Sequence, residues 1–351
     1  MQIERYRRGV SIWLLFVAGM VLFMIIVGGL TRLTQSGLSM VEWRPLMGTI
    51  PPITEAEWLD VFAKYKAYPE YQKVNKGMSL SEFKPIFYFE YSHRILGRLI
   101  GLVFALPAVF FWIKKAFPKA MIPKMLLLFV LGGAQGVIGW WMVKSGLVDR
   151  VDVSQYRLAV HLTLACVIFA YALWVARGLA WHSTHITPPN RLRLFAPLVA
   201  TLVMIQIFMG GLVAGLDAGL ASNEWPKMLG EWVPEDISAM TPLWINWFEN
   251  PISVQFNHRI SAYILLLVIL IQWWIAKSSN AEAPHKRRTM IIVVLAFIQA
   301  VIGILTVLWE VPINTALTHQ AFAVVLLAAV VAHWRGLVGP YPPVTSLEVR
   351  A

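Results

Sequence analysis

Apolar residues gather into runs of nearly constant length, parted by polar, charged or proline-rich stretches. The runs cover residues 12–30, 91–113, 125–143, 156–176, 195–215, 259–276, 290–308 and 318–334. Each is close to the roughly 20 residues that an α-helix, rising about 1.5 Å per residue, needs to cross the hydrocarbon layer. Lipid offers backbone amides no water, so a spanning segment closes its hydrogen bonds within itself; a barrel would need shorter, alternating segments. The pattern predicts an all-α polytopic membrane protein with eight transmembrane helices. Composition agrees: of 351 residues, 58% are hydrophobic and 14% charged, against about 25% charged in an ordinary soluble domain. The first run follows Arg5, Arg7 and Arg8, as a signal peptide would. It is long and no A-x-A cleavage pattern follows it, so a retained first helix is expected.

A net charge of +11 raises the question of nucleic acid, and its distribution answers it. Arg5, Arg7 and Arg8 precede the first run. Lys114, Lys115, Lys119 and Lys124 separate the second and third, Arg177, Arg191 and Arg193 the fourth and fifth, and Lys277, Lys286, Arg287 and Arg288 the sixth and seventh. The other loops are acidic or balanced, with Asp217, Glu224, Glu231, Glu235, Asp236 and Glu249. This is the positive-inside pattern of a membrane protein, and no nucleic-acid partner is expected. Both termini belong on the cytoplasmic side of a bacterial inner membrane, or the matrix side of a mitochondrial one, where the basic loops meet anionic lipid.

The chain also repeats itself. Residues 24–48, MIIVGGLTRLTQSGLSMVEWRPLMG, align without gaps on 206–230, QIFMGGLVAGLDAGLASNEWPKMLG. YSHRI (91–95) matches FNHRI (256–260), the run from Gln135 to Gly139 resembles that from Gln299 to Gly303, and Val160-His161 pairs with Thr318-His319. Two pseudo-symmetric four-helix bundles are therefore expected. Residues 1–180 form the first half, with a large outer loop at 32–90; residues 181–193 form an inner-side linker; residues 194–351 form the second half. An even number of helices per half makes the repeat parallel, about an axis along the membrane normal. The paired glycines Gly28-Gly29 and Gly210-Gly211 suit either close helix approach or room for a flat cofactor.

The outer loop is amphipathic. Thr54 with Glu57 and Ser79 with Glu82 resemble capping boxes, and Trp58, Val61, Phe62 and Tyr65 form an apolar stripe. Helices there would roof a site. In the second outer loop, 216–257, Trp225, Trp232, Trp244 and Trp247 read as interfacial anchors.

Four histidines recur at matched positions. With the N-terminus inside, the second, fourth, sixth and eighth helices run inward, and His93, His161, His258 and His319 lie near their starts, at similar depth toward the outer face. Imidazoles from facing helices suit the two axial positions of a haem iron. Arg94, Arg98 and Arg259 follow these histidines, within reach of haem propionates. Tetrahedral zinc would call for closer grouping, and no C-x-x-C-H occurs for covalent haem. Cys166, the single cysteine, reads as a buried small apolar residue. His182 and His185 (WHSTH), His285 in the basic HKRR loop and His333 near the last interface are weaker candidates.

The halves differ at one telling place. Glu90 stands three residues before His93, whereas Gln255 stands three before His258. A carboxylate beside hydrocarbon is costly and so a functional candidate. It can exchange protons or stabilise developing positive charge, which glutamine cannot do by ionising. A structural pairing of Glu90 with Arg94, one turn on, is the competing reading.

These residues resemble a known family. GGLTRLTQSGLSMVEWRPLMGTIPP (28–52), EFKPIFYFEYSHRILGR (82–98), Val160-His161, GLDAGLASNEWPKM (215–228), QFNHR (255–259) and THQ (318–320) are similar to haem A synthases of the COX15/CtaA type, in the branch of alphaproteobacteria and mitochondria. The likeness spans nearly the whole chain. It implies an oxidoreductase that converts haem O to haem A, oxidising the C8 methyl to a formyl group by successive hydroxylations through a geminal diol. It implies that Glu90, His93 and His161 surround the substrate haem, and that His258 and His319 hold haem b, which passes electrons. It implies a haem O synthase as substrate donor and cytochrome oxidase assembly factors as partners, and it leaves the electron acceptor open; a farnesyl tail would need an apolar groove between helices or an opening to lipid. Some bacterial relatives carry outer-loop cysteine pairs; this chain has none there, so no internal thiol relay is available. A homo-oligomer is compatible with the glycine faces. Two other readings fit parts of the pattern: a membrane b-type cytochrome taking electrons from quinol, and a haem-handling transporter or assembly protein.

Overall fold

The computed structural model describes residues 2–42, 49–148, 150–179 and 188–338. In chain order its α-helices are α1 (Gln2–Leu33), α2 (Glu55–Lys66), α3 (Pro69–Lys73), α4 (Leu80–Ile113), α5 (Ile122–Gly146), α6 (Gln155–Gly178), α7 (Asn190–Gly215), α8 (Asn246–Glu249), α9 (Pro251–Ser278), α10 (Ala283–Leu308) and α11 (Ile313–Leu337). Eight of them, α1, α4, α5, α6, α7, α9, α10 and α11, are long and apolar enough to cross a membrane. The chain is an all-α, multi-pass membrane protein.

The apolar runs locate the spans but not all their ends. α4 begins at Leu80, well ahead of the apolar run at 91, because its start is set by a cap. The Glu82 amide donates to Ser79 Oγ at 3.3 Å, and the Ser79 amide donates back to Glu82 Oε2 at 2.8 Å. The extra turns bury Phe83 and Phe87. α2 starts with the same reciprocal cap on Thr54 and Glu57. Backbone N–H groups of Thr54 and Ile53 hold the Glu57 carboxyl below its ordinary range. The predicted stripe of α2 turns inward: Trp58, Phe62 and Tyr65 are buried. Their rings lie 5.0 Å from Phe87 (Trp58) and 5.0 Å from Phe83 (Phe62 and Tyr65). Aromatic pairs of this kind add about 0.5–1.5 kcal/mol beyond area burial. They fasten α2 to the N-terminal end of α4 as a roof.

Within that roof, Glu70 of α3 is buried, and its Oε2 has no hydrogen-bond partner among the described residues. Burial pushes its carboxyl up to about 7; Tyr65 opposes this by hydrogen bonding, and Glu90 and Asp152 reinforce it. An unfolded glutamate ionises near 4.5. As pH rises between those values, the unfolded chain sheds a proton that the folded roof retains. Stability from this group is full in acid and lost as pH climbs through about 7. Glu70→Gln removes that loss, stabilising α2–α3 at pH 8 by up to about 3 kcal/mol. Slower proteolysis or hydrogen exchange of the roof at pH 8, with no gain at pH 4, is the expected result.

α1 packs against α4 and α6, and α5 against the same two; α7 packs against α9 and α11, and α10 against that pair. The two groups meet along α6–α7, with α11 also touching α1 and α6. The core runs along this seam through Leu14, Val17, Cys166, Phe169, Val199 and Leu327. Cys166 is fully buried, as expected of a small apolar residue. α1, α6 and α7 bury 39–44% of their apolar windows, whereas α4 and α5 bury 6%, so the latter pair presents most of its surface outward. At the C-terminal ends of α1 and α7, Arg32 donates to both Asp217 carboxylate oxygens at 2.9 Å. Tyr156 donates to Glu249 at 2.7 Å.

One weaker candidate, His285, turns out differently from expectation. His285 and His333 are 2% and 0% exposed, with ring centroids 6.2 Å apart. α10 already begins at Ala283, so His285 sits in a helical turn facing α11 rather than in a basic loop. His182 and His185 lie outside the described residues. The outer-loop tryptophans Trp225, Trp232, Trp244 and Trp247 are exposed.

Candidate functional site

Each of the four matched histidines faces a glycine on a neighbouring helix. A methyl group at Gly28 would lie 3.2 Å from His93 Nε2, and one at Gly139 would lie 2.9 Å from His161 Cε1. In the second half, Gly210 would place a methyl 3.3 Å from His258 Cε1, and Gly303 2.7 Å from His319 Cε1. The two readings of the paired glycines therefore divide between adjacent residues. Gly28 and Gly210 make room for an imidazole. Gly211 lets helices close: a methyl there would come within 2.8 Å of Ala159 Cα. The methyl that Gly29 lacks would collide with Gln320.

A glutamine one turn before three of these glycines holds the facing histidine. Gln135 donates to the His161 carbonyl at 3.1 Å, Gln206 to the His258 carbonyl at 2.9 Å, and Gln299 to the His319 carbonyl at 3.0 Å. The same amides stand 3.4 Å from His161 Nε2, 3.1 Å from His258 Nδ1 and 3.2 Å from His319 Nδ1. The Q-x-x-x-G spacing on α5, α7 and α10 is visible in the sequence, two copies of it within the repeat, but its role is not. It needed the rotation of each helix about its axis, which runs apolar all round do not encode.

His258 and His319 face each other across α9 and α11 with ring centroids 6.5 Å apart and planes at 75°. Neutral imidazoles that meet across two helices are suitable donors to an iron ion, so the chemistry of this pair is compatible with haem. His93 and His161 likewise come close enough to interact electrostatically.

Glu90 is 3% exposed and fully engaged. Its Oε2 accepts from Ser39 Oγ at 2.8 Å and from the Met40 amide at 2.7 Å; its Oε1 accepts from Arg94 at 2.6 and 3.0 Å. Arg94 also donates to the carbonyls of Met40 (2.7 Å) and Glu42 (3.0 Å). The pairing of Glu90 with Arg94 anticipated from their spacing is thus present, and it clamps the loop after α1 onto α4. Gln255 takes the equivalent place with reversed polarity. Its amide donates to the Gly219 and Ser222 carbonyls at 3.0 and 3.1 Å, and its oxygen accepts from Arg259 at 3.0 Å. Arg259 also donates to the Lys227 and Ser222 carbonyls at 3.1 and 3.2 Å. Arg98 follows one turn beyond Arg94, partly buried on α4.

Both clamps do the same structural work, but only the first contains an ionisable carboxylate, three residues before its histidine. The family model of the COX15-CtaA cytochrome oxidase assembly proteins matches residues 11–331. The chain belongs to the COX15-CtaA family. It is 50% identical to the heme A synthase of Agrobacterium fabrum (strain C58 / ATCC 33970) over 349 residues, covering 99% of this chain and 95% of that one. It is 48% identical to the heme A synthase of Sinorhizobium medicae (strain WSM419) over 348 residues, with 99% and 95% covered. Against the heme A synthase of Chelativorans sp. (strain BNC1) the figures are 50% over 339 residues, with 97% and 94% covered. The COX15-CtaA match thus takes in all four histidines, both clamps and every helix on which they stand.

Proposed function

We propose that this protein is a haem A synthase that oxidises the C8 methyl of haem O to a formyl group by successive hydroxylations. The observation that carries the reading is the repeated histidine corner with a carboxylate clamp in one half only, in a chain that matches heme A synthases over nearly its whole length. The N-terminal half, residues 1–180, takes the substrate haem between His93 and His161, under the roof of α2 and α3. The C-terminal half, residues 194–351, holds haem b between His258 and His319, across the linker 181–193. The halves form two pseudo-symmetric four-helix bundles, with both termini cytoplasmic and the haems toward the periplasmic side of the inner membrane.

Haem b supplies electron transfer; the rest is the work of this chain's side chains. His93 and His161 orient the substrate macrocycle. Glu90, held by fixed donors three residues before His93, presents negative charge that stabilises an electron-poor carbon beside the ring. Its carboxylate would also accept a proton from attacking water. Arg94, Arg98 and Arg259 would supply positive charge to haem propionates. The outward-facing surfaces of α4 and α5 would give a farnesyl tail an opening to lipid. A haem O synthase delivers the substrate, an external acceptor takes the electrons, and cytochrome oxidase assembly factors receive the product.

Coexpression with a haem O source, in cells lacking their own synthase, tests this. Extracted non-covalent haems should include haem A by mass. Folded, haem-loaded protein yielding haem B alone would instead favour an electron-transfer cytochrome. A sharper check concerns the glycine corners. Gly303→Ala places a methyl against His319 and should lower haem b content on the order of tenfold, the scale of a lost supporting contact. Gly101→Ala, whose methyl meets nothing within 4 Å, should leave it unchanged. Pyridine haemochrome absorbance per protein reads both.

A further inference from the structure

Three of the four histidine corners carry a glutamine and one does not, while three residues after each histidine only Ser261 is polar, against Leu96, Leu164 and Phe322. On α5, α7 and α10 the residue one turn before the facing glycine is glutamine: Gln135, Gln206 and Gln299. On α1 it is Met24. Its Cε would lie 3.2 Å from a methyl at Gly97, one turn past His93, so Met24 lies against α4 next to His93. A second exchange accompanies the first. Ser261, three residues after His258, donates to the His258 carbonyl at 3.0 Å and makes a short hydrogen bond to Gln206 Oε1. The residue three after His93 is Leu96. The linked pair Gln206–Ser261 that grips His258 is therefore replaced by the apolar pair Met24–Leu96 around His93.

Partners of this kind set a ligand histidine's tautomer and ring orientation, and losing them commonly costs 10–100-fold in metal affinity. A thioether and an isobutyl group make no such hydrogen bonds. A haem that stays and a haem that is processed and released place opposite demands on their sites. We propose that Met24 and Leu96 keep His93 the loosely held ligand, so that haem O enters and haem A leaves through this corner, while Gln206 and Ser261 lock His258 onto a retained haem. His93 is the exchanging ligand; Met24 and Leu96 are positioning residues. The inference rests on reading these histidines as haem ligands.

The test uses the full chain in nanodiscs, loaded with haem B as probe and mixed with excess apomyoglobin, which captures released haem with a change in absorbance. His93→Ala and His258→Ala identify which release phase belongs to which half. Met24→Gln with Leu96→Ser should slow release from the N-terminal half on the order of tenfold or more, and sharpen its low-spin spectrum. Gln206→Met with Ser261→Leu should accelerate release from the C-terminal half by a similar factor. Release unchanged in both double variants overturns the proposal. Should the first double variant not fold, the second alone decides, since acceleration supports the proposal and unchanged release refutes it. Should neither phase respond to His93→Ala or His258→Ala, the histidines are not haem ligands. The functional reading then falls first, and this inference with it, an outcome separable from unchanged release at histidine-dependent phases.

Discussion

Glu90→Gln ends haem A formation while leaving the haem b of the C-terminal half in place. Removing one group that is preorganised against developing charge costs about 10²–10³ in kcat, roughly 3–4 kcal/mol. In the proposed mechanism Glu90 is such a group; it is buried three residues before His93 and held by Ser39, Met40 and Arg94. The substitution has a structural side as well. An amide nitrogen in place of Oε2 would face the Met40 N–H, donor against donor, and an unmet buried group costs about 1–3 kcal/mol. In the second half Gln255 escapes this because its partners there are carbonyls. Two measurements keep the effects apart. Haems separated by mass report the chemistry, and proteolysis of the loop after α1 reports the clamp. A loosened loop with haem A still formed at the wild-type rate would reduce Glu90 to a fastening for that loop.

The second large effect divides the histidines by half. His258→Ala or His319→Ala should empty the haem b site, lowering haem b on the order of a hundredfold or more, beyond the loss of a supporting partner. Haem O should still be recoverable from such protein, unconverted for want of an electron path. His93→Ala or His161→Ala should do the reverse, keeping haem b and its bis-histidine low-spin spectrum while abolishing haem A. The 6.5 Å spacing of the His258 and His319 rings is the basis for expecting both of that pair to be required. If all four variants lose both haems alike, the division of labour between the halves is wrong.

Much of this architecture was written in the linear order of residues. Eight spans follow from the length of the apolar runs, because a backbone in lipid has only itself to bond with. The starts of α2 and α4 follow from Thr54–Glu57 and Ser79–Glu82, since a cap acts over four residues. The equivalence of His93 with His258, and the break at Glu90 and Gln255, follow from alignment of the chain with itself. These are local or repeated signals, and a single sequence carries them. What the tertiary structure decided is which faces turn toward one another. Spans that are apolar on every side have no stripe to point inward, so the pairing of Gly139 with His161 or Gly303 with His319 had no local signature. Nor did the grip of Gln206 on a residue 52 positions away. The same holds for Glu70, whose burial depends on α2 and α3 folding over α4, and for His285 and His333, brought together from opposite ends of α10 and α11. Rotation about a helix axis is settled by side chains meeting across the interface, and that is information no one segment contains.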